Sequence, residues 1–396
     1  MGERFGLYDH AVHAALKQPG ARFVWVHAVS VGEVQVAGQL MRAWREVESS
    51  VRFCLSVTSS TGHTVALKEV TANDLLIYNP LDFPNFVKSA LGLIQPRALI
   101  LTESEIWPIF IRHAKKMGIP VFLINARVSD RSAPRYAKGK FFFKDVFACF
   151  TRIFSQSELD TARLIAGGAQ AVQIETTGSF KFDVARRNEA KERELAEWIG
   201  GGRILLGGST WPGEERILLR AYQRIRAALS EATGAQKSVL VLAPRHFEKA
   251  DAVEAAIREF GFSCVRRSRG EKATGDPNEV FLADTTGELM GLYGLAEVVF
   301  VGKSMCAHGS QNMIEPCLCG KPTVVGPYTE NFRSVMSGLL ESQAIIQEKD
   351  EKGVEDTLVN LFLKGDAALG KRAAEAVSHR RGVVPRCVET IRSARA

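Results

Sequence analysis

The sequence predicts an α/β protein built of two parallel-sheet halves. Short apolar runs alternate with helix-period patterns through both halves. A charged stretch closing on Gly200, Gly201 and Gly202 separates them. Near the start, an apolar segment from Phe23 breaks into Ser30, Val31, Gly32 and Glu33, followed by helical spacing of Val36, Ala37, Leu40, Met41 and Trp44, which reads as strand, tight turn, helix.

The length of 396 residues exceeds one ordinary core and suits two domains of roughly 180 residues each. In the first half, strands are expected at 51–57, 75–78, 98–102, 121–124, 152–155 and 172–175. Helical segments lie between most of them, so the sheet should be parallel and covered on both faces. The second half repeats the architecture without repeating the sequence, with strands expected at 204–206, 239–243, 280–283, 298–301 and 322–325. The expected domains are 1–185, a linker at 186–203, a second domain at 204–365 and a helical tail at 366–396. Two such halves create a cleft at strand ends, where ligands of this class bind.

A composition of 46% hydrophobic and 24% charged residues is globular and excludes a disordered chain. The net charge of +7 favours an anionic partner without identifying it. Seven scattered cysteines form neither a disulfide framework nor a C-x-x-C metal pair, which suits a reducing cytosol. No apolar run approaches the length of a membrane span and no signal peptide opens the chain, so a soluble or peripheral protein is expected.

Glu33 falls in the first helical turn, where backbone N–H groups and the helix dipole favour the ionised form. It reads either as a base at a strand end or as a helix-opening residue. Ala28-Val29-Ser30-Val31-Gly32 is one residue from the G-x-S-x-G elbow of hydrolases, which would make Ser30 a nucleophile, but that elbow follows several strands and this one follows the first. No G-x-G-x-x-G follows the first strand, against a nicotinamide enzyme. Gly302-Lys303-Ser304 imitates the end of a P-loop, yet the upstream glycine is Glu297 and Lys303 can simply face solvent.

In the second half, polar clusters follow successive strands: Gly207, Gly208, Ser209 and Thr210; Pro244, Arg245 and His246; and 284–288. Asn312 and Glu315 are one helical turn apart and can face one ligand. A helix start there would offer N–H groups to a phosphate, with Arg245 complementing its charge.

With these residues in place, the chain resembles the 3-deoxy-D-manno-octulosonic acid (Kdo) transferases, metal-independent inverting glycosyltransferases of the two-domain GT-B type. The carriers run in family order over nearly the whole chain: Glu3-Arg4-Phe5-Gly6, His27 to Glu33, Pro80-Leu81-Asp82, Glu103-Ser104-Glu105-Ile106-Trp107-Pro108, Asn125-Ala126-Arg127, Gly178 to Asp183, Pro244-Arg245-His246, Asp284 to Leu289 and Asn312 to Glu315. The resemblance implies two Rossmann-like domains facing a central cleft. It implies transfer of Kdo from CMP-Kdo, the donor substrate, to a lipid A precursor, with no cofactor or metal.

The same resemblance makes Glu33 the general base and gives Glu103 and Lys181 transition-state roles. It assigns Ser209, Thr210, Pro244, Arg245, His246, Thr286, Gly287, Glu288, Asn312, Met313, Ile314 and Glu315 to CMP-Kdo, and Ser30, Gly32 and Arg127 to the acceptor. Three positions depart from the family: Gln311 and Trp211 where histidine is usual, and Ser179 where asparagine is.

Family members tend to begin with a membrane anchor, and this chain starts just after the expected end of one, so either the sequence is short at its N-terminus or attachment is purely peripheral; the resemblance implies the cytoplasmic face of the bacterial inner membrane. The expected surface is Arg127, Arg131, Arg135, Lys138, Lys140 and Lys144 around Phe141, Phe142 and Phe143, a basic and aromatic mixture suited to anionic lipid. No nucleic-acid module appears. The alternatives are a GT-B enzyme using another nucleotide sugar and a non-catalytic GT-B-like binding protein.

Overall fold

The computed structural model describes residues 2–17, 22–184, 186–230 and 237–394, so the expected boundary at 185 and the last two residues of the expected tail lie outside it. The chain divides into two compact units, Met1–Val184 with Gly382–Ala396, and Ala185–Arg381.

The first unit carries β1 (Phe23–His27), β2 (Arg52–Val57), β3 (Leu75–Tyr78), β4 (Ala98–Thr102), β5 (Val121–Ala126), β6 (Arg152–Ser155) and β7 (Ile174–Thr176). They form one sheet in the order β3-β2-β1-β4-β5-β6-β7, every ladder parallel. Parallel strands are buried on both faces, which is why they read as continuous apolar runs. Phe23 and Trp25 enter the core on one face while Val24 and Val26 enter the other. The chain winds leftward from β1 and then returns to place β4 on its right, so the switch point of this sheet falls between β1 and β4.

The second unit carries β8 (Arg203–Thr210), β9 (Ser238–Pro244), β10 (Ser263–Arg266), β11 (Glu279–Leu282), β12 (Val298–Val301), β13 (Thr323–Val325) and β14 (Ile346–Gln347), in the order β10-β11-β9-β8-β12-β13-β14, again parallel. Its switch point lies between β8 and β12. The sequence analysis has no counterpart to β10 or β14. Both are short edge strands, and β10 is only half-buried, so neither leaves a continuous apolar run.

Two corrections to the expected domains follow. The stretch at 186–203 is not a free linker. It contains the helix Glu189–Ile199, with Leu195 and Ile199 buried, packed on the helix Leu289–Leu295. Gly291 and Gly294 make that contact possible, since a β-carbon at Gly291 would stand 2.8 Å from Lys191 Cγ and one at Gly294 would stand 2.1 Å from the Glu192 carboxyl carbon.

The expected tail is likewise divided. The helix Ala367–Ser378 belongs to the second unit, whereas Val383–Ser393 returns to the first, packs on the helix Val31–Val47 and buries Val383, Val384, Cys387, Val388 and Ile391 in the core cluster that also holds Val24, Val26 and Leu40. Asp183 fixes the return by accepting the N–H groups of Gly382 at 2.6 Å and Val384 at 2.7 Å. Ile391→Ala should therefore cost about 2–5 kcal/mol through the cavity it leaves, measured as a lowered unfolding midpoint. An unchanged midpoint would mean that this helix adds nothing to the first unit.

Candidate functional site

In the first unit the candidate residues gather at the C-terminal ends of β1, β4 and β5. Ser30 caps the helix Val31–Val47 in extended backbone conformation, its Oγ accepting the Glu33 N–H at 3.3 Å. The Glu33 carboxylate, 6% exposed, turns back on the same turn. It accepts the Val29 N–H at 2.9 Å on one oxygen and the Ser30 hydroxyl at 2.9 Å on the other. The Thr102 hydroxyl stands 3.1 Å from Glu33 and 2.9 Å from the His27 carbonyl, so its one proton is shared between them.

Glu33 thus closes the capping turn, taking the N–H of Val29 just before the N-cap, and also sits at the sheet's switch point, so the two readings meet in one side chain. Ser30 and Gly32 are exposed beside it. The Ser30 hydroxyl is engaged with Glu33 and has no histidine partner among the described residues, which removes the general base that a hydrolase elbow needs.

Glu103 follows β4 in the left-handed region, with φ of 51°. Its carboxylate accepts Asn125 Nδ2 at 3.3 Å and Arg127 Nε at 2.6 Å. Asn125, also left-handed at φ 51°, accepts the Phe180 N–H at 3.1 Å and so ties the end of β5 to the segment carrying Ser179 and Lys181. Burial pushes the Glu103 carboxyl up, Arg127 and Lys181 pull it down, and Glu33 raises it. Burial lowers Lys181, against which Glu103 favours its charged form. Glu33, Glu103, Arg127 and Lys181 therefore form one electrostatic neighbourhood.

Glu105, a member of one family segment to which the sequence assigns no separate role, belongs to that neighbourhood. Burial, with Glu33 and Glu103 adding to it, raises its carboxyl to about 7, against the Trp107 indole N–H donated at 2.8 Å. Trp107 meets the His27 ring edge-on at 5.3 Å. The Ser56 hydroxyl accepts from Trp25 Nε1 at 2.8 Å and donates to Asn79 at 3.1 Å, so His27 Nδ1 must donate to Ser56. Burial holds this histidine at about 3, making it a neutral packing residue.

In the second unit, Glu214 organises the strand ends. It opens the helix Glu214–Ser230 and is fully buried. Its carboxylate accepts the N–H groups of Trp211 at 2.8 Å, Lys303 at 2.9 Å, Ser304 at 3.0 Å, Met305 at 2.9 Å and Cys306 at 3.4 Å. Nothing in the sequence near Glu214 signals partners some ninety residues away. Ser304 is buried, donating to the Val301 carbonyl at 2.6 Å and accepting the Gly326 N–H at 2.9 Å, so the P-loop imitation is structural.

The remaining candidates divide. Arg245 is exposed, its backbone N–H donating to the Thr210 carbonyl at 3.0 Å, and it makes no ion pair among the described residues. Thr286 and Gly287 form an exposed turn after β11, with Gly287 at φ 83°. Asn312 donates to Glu315 at 3.0 Å and caps Ile314 N at 3.1 Å, while burial raises the Glu315 carboxyl. Ser209 is half-buried in the left-handed region at φ 51°, and Thr210 is buried, donating to Glu215 at 2.7 Å. Thr210, Pro244 and His246, together with Glu215 and Lys249, line a cavity of about 280 Å³.

Three expectations change on these surroundings. The Met313 and Ile314 side chains are fully buried in the core, so only their backbone can reach a ligand. The helix that starts there, Ile314–Leu318, is five residues long and offers little dipole. Glu288 is buried and held by Arg267 at 2.8 Å. Arg267 in turn lies 3.9 Å over the Trp198 ring.

On the basic and aromatic segment, Phe141 is 84% exposed and Phe142 is exposed under Arg112, while Phe143 packs on Tyr136 at 4.7 Å and belongs partly to the core. Arg131, Arg135, Lys138, Lys140 and Lys144 are exposed around them. No helix among the described residues is long and apolar enough to cross a membrane, and no three His, Cys, Asp or Glu side chains among them are grouped to hold a metal ion.

The Glu105 carboxyl has a measurable signature. Raised from the ordinary 4.5 to about 7, it makes the folded state bind more protons than the unfolded one between those values. Its contribution to stability is complete below 4.5 and is lost as the pH rises through 7. Glu105→Gln should flatten that slope in urea unfolding followed from pH 5 to 8, whereas coincident slopes for variant and parent would assign the titration elsewhere.

Residues 1–184 match the family model described as 3-deoxy-D-manno-octulosonic-acid transferase. The chain is 32% identical over 392 residues to the 3-deoxy-D-manno-octulosonic acid transferase of Bordetella pertussis, covering 96% of this chain and 89% of that one. It is 27% identical over 399 residues to the enzyme of the same name from Haemophilus influenzae, covering 99% and 90%. A bifunctional glycosyltransferase/methyltransferase of Fusobacterium nucleatum is 29% identical over 325 residues, and there the match spans 49% of the longer protein.

A putative UDP-N-acetylglucosamine 2-epimerase from Listeria monocytogenes shares the fold, with a TM-score of 0.60 at 11% identity over 94% of this chain and 96% of that one. Two parallel sheets of Rossmann type, most of the family carriers standing at their strand ends, and 32% identity over 96% of the chain to one of these enzymes lead to one conclusion: the chain belongs to the Kdo transferase family of GT-B glycosyltransferases.

Proposed function

We propose that this chain transfers Kdo from CMP-Kdo, with inversion, to a glucosamine hydroxyl of a lipid A precursor of the lipid IVA type, at the cytoplasmic face of the bacterial inner membrane. The observation that carries this reading is the neighbourhood of Glu33, Glu103, Arg127 and Lys181 at the switch point of the first sheet, in a chain of this family. Glu33 takes the proton of the attacking hydroxyl as the bond to the anomeric carbon forms. Glu103, buried and facing Arg127, offsets positive charge developing on the sugar ring. Ser30, Gly32 and Arg127, exposed around Glu33, hold the acceptor.

The donor belongs to the second unit. Arg245 supplies a planar cation for the phosphate, and Glu315, steered by Asn312, accepts from the ribose hydroxyls. Ser209, Thr210, His246 and the Thr286-Gly287-Glu288 turn line the same strand ends, Glu288 serving through its ion pair. Departure of CMP then leans on cationic side chains, with no metal and no cofactor in the step.

Glu33→Gln tests the base. The glutamine oxygen can accept from Val29 N–H, and its amide can donate to the Ser30 hydroxyl, so the capping turn survives. Folding and CMP affinity should persist while Kdo transfer, read by product mass, falls by ~10²–10⁴-fold. Ser30→Ala should be far milder. Near-parent transfer by Glu33→Gln would leave that residue a cap and end this reading.

Attachment to anionic lipid runs through Phe141, Phe142 and their basic neighbours. Changing Lys138, Lys140 and Lys144 to glutamine should weaken binding to phosphatidylglycerol vesicles by about 1 kcal/mol per charge, and raised salt should act in the same direction. Equal binding by variant and parent would place another face on the membrane.

A further inference from the structure

The loop after β12 contains a lysine that no step above uses. Lys303 has φ of 57°, a left-handed conformation that disfavours any β-carbon. Its N–H donates to Glu214 at 2.9 Å and its carbonyl accepts the Ser310 N–H at 2.7 Å, so the backbone is pinned on both sides. The preceding Gly302 is pressed onto the end of β8, where a β-carbon would stand 2.3 Å from the Ser209 carbonyl oxygen. A glycine at 303 would meet these constraints without strain, yet the position carries a long cation.

That cation is directed. Lys303 Nζ lies 4.9 Å from the centre of the Trp211 ring, and the same indole meets His246 edge-on at 5.0 Å. Trp211 is itself fixed by Glu214, which accepts its N–H at 2.8 Å. The strand order β9-β8-β12 brings Arg245 and His246 from one side of β8 and Lys303 from the other. The nearby carboxylates are occupied: Glu214 by five backbone N–H groups, Glu215 by Thr210 and Glu248 by His246 Nδ1 at 2.9 Å. Lys303 makes no ion pair among the described residues.

We propose that Lys303, steered by Trp211, is a phosphate-binding cation of the donor site, acting with Arg245 on the phosphate of the nucleoside monophosphate. This rests on the reading that the second unit binds CMP. As a compact point charge, the ammonium complements the planar fork of Arg245 and approaches the phosphate from the opposite side of β8. Trp211 holds the flexible stem in place and lowers what its ordering costs on binding.

The test uses Lys303→Gly, Lys303→Asn and Lys303→Arg in the full chain, with CMP and cytidine as probes in calorimetric titration. Glycine and asparagine both tolerate the left-handed backbone, so thermal stability should not fall in either. Both should bind CMP about ten- to a hundredfold more weakly than the parent, the scale of one charge-assisted contact, while arginine restores most of the affinity. Cytidine, which lacks the phosphate, should bind all four proteins alike. CMP binding by Lys303→Asn equal to the parent's would overturn the role of Lys303 and leave the donor site standing. A parent that binds no CMP would overturn both.

Discussion

In the second unit, the turn after β8 and the loop after β12 meet at one buried carboxylate. Glu214 takes five backbone N–H groups, from Trp211 and from Lys303 through Cys306. Burying a carboxylate costs several kcal/mol unless its lone pairs are filled, and charged hydrogen bonds of about 1.5–3 kcal/mol each offset that cost. Positions that hang on this arrangement include the left-handed Ser209 and Lys303, the Gly302 contact and the Trp211 ring. A parallel sheet leaves its strand ends bare at the switch point, and Glu214 ties two of those ends together there.

The first unit solves the same problem with Glu33. It also opens a helix after the first strand of its sheet and also gathers backbone and hydroxyl donors, but it keeps a place at the surface turn of Ser30 and Gly32. The two carboxylates stand at equivalent points of the two sheets and differ in exposure: Glu214 is sealed by the loop it anchors, while Glu33 faces an exposed turn. Buried and saturated, one is a structural anchor. Less enclosed and beside two further carboxylates, the other is the base proposed above.

Electrostatics in the first unit depends on residues that the chain brings from three segments. Glu103 and Glu105 follow β4, Arg127 follows β5, Lys181 follows β7, and Asn125 couples Glu103 to the backbone before Lys181. Burial, with the crowding of acids adding to it, raises Glu103 and Glu105, and the two cations oppose this at Glu103. Asp82, in another of the family segments, instead caps the helix Pro108–Lys116, accepting N–H groups of Ile109 at 3.1 Å and Phe110 at 2.7 Å. Some family motifs thus carry scaffold rather than chemistry.

The sequence by itself determined the two α/β halves and most of their strands, because central parallel strands must be apolar on both faces and leave unbroken apolar runs such as Ala98–Thr102 and Val298–Val301. It also placed Glu33 at a helix start, since capping chemistry is local to a few residues. The edge strands β10 and β14 left no such run, and the charged helix Glu189–Ile199 read as linker because its partners, Gly291 and Gly294, lie a hundred residues on. Only the tertiary structure decided that the last helix belongs to the first unit, that Met313 and Ile314 are core, that Glu214 is an anchor and that Lys303 lies over Trp211. Each of those depends on which distant residues the sheet order brings together, and a periodicity or a cap within one segment holds no record of that order.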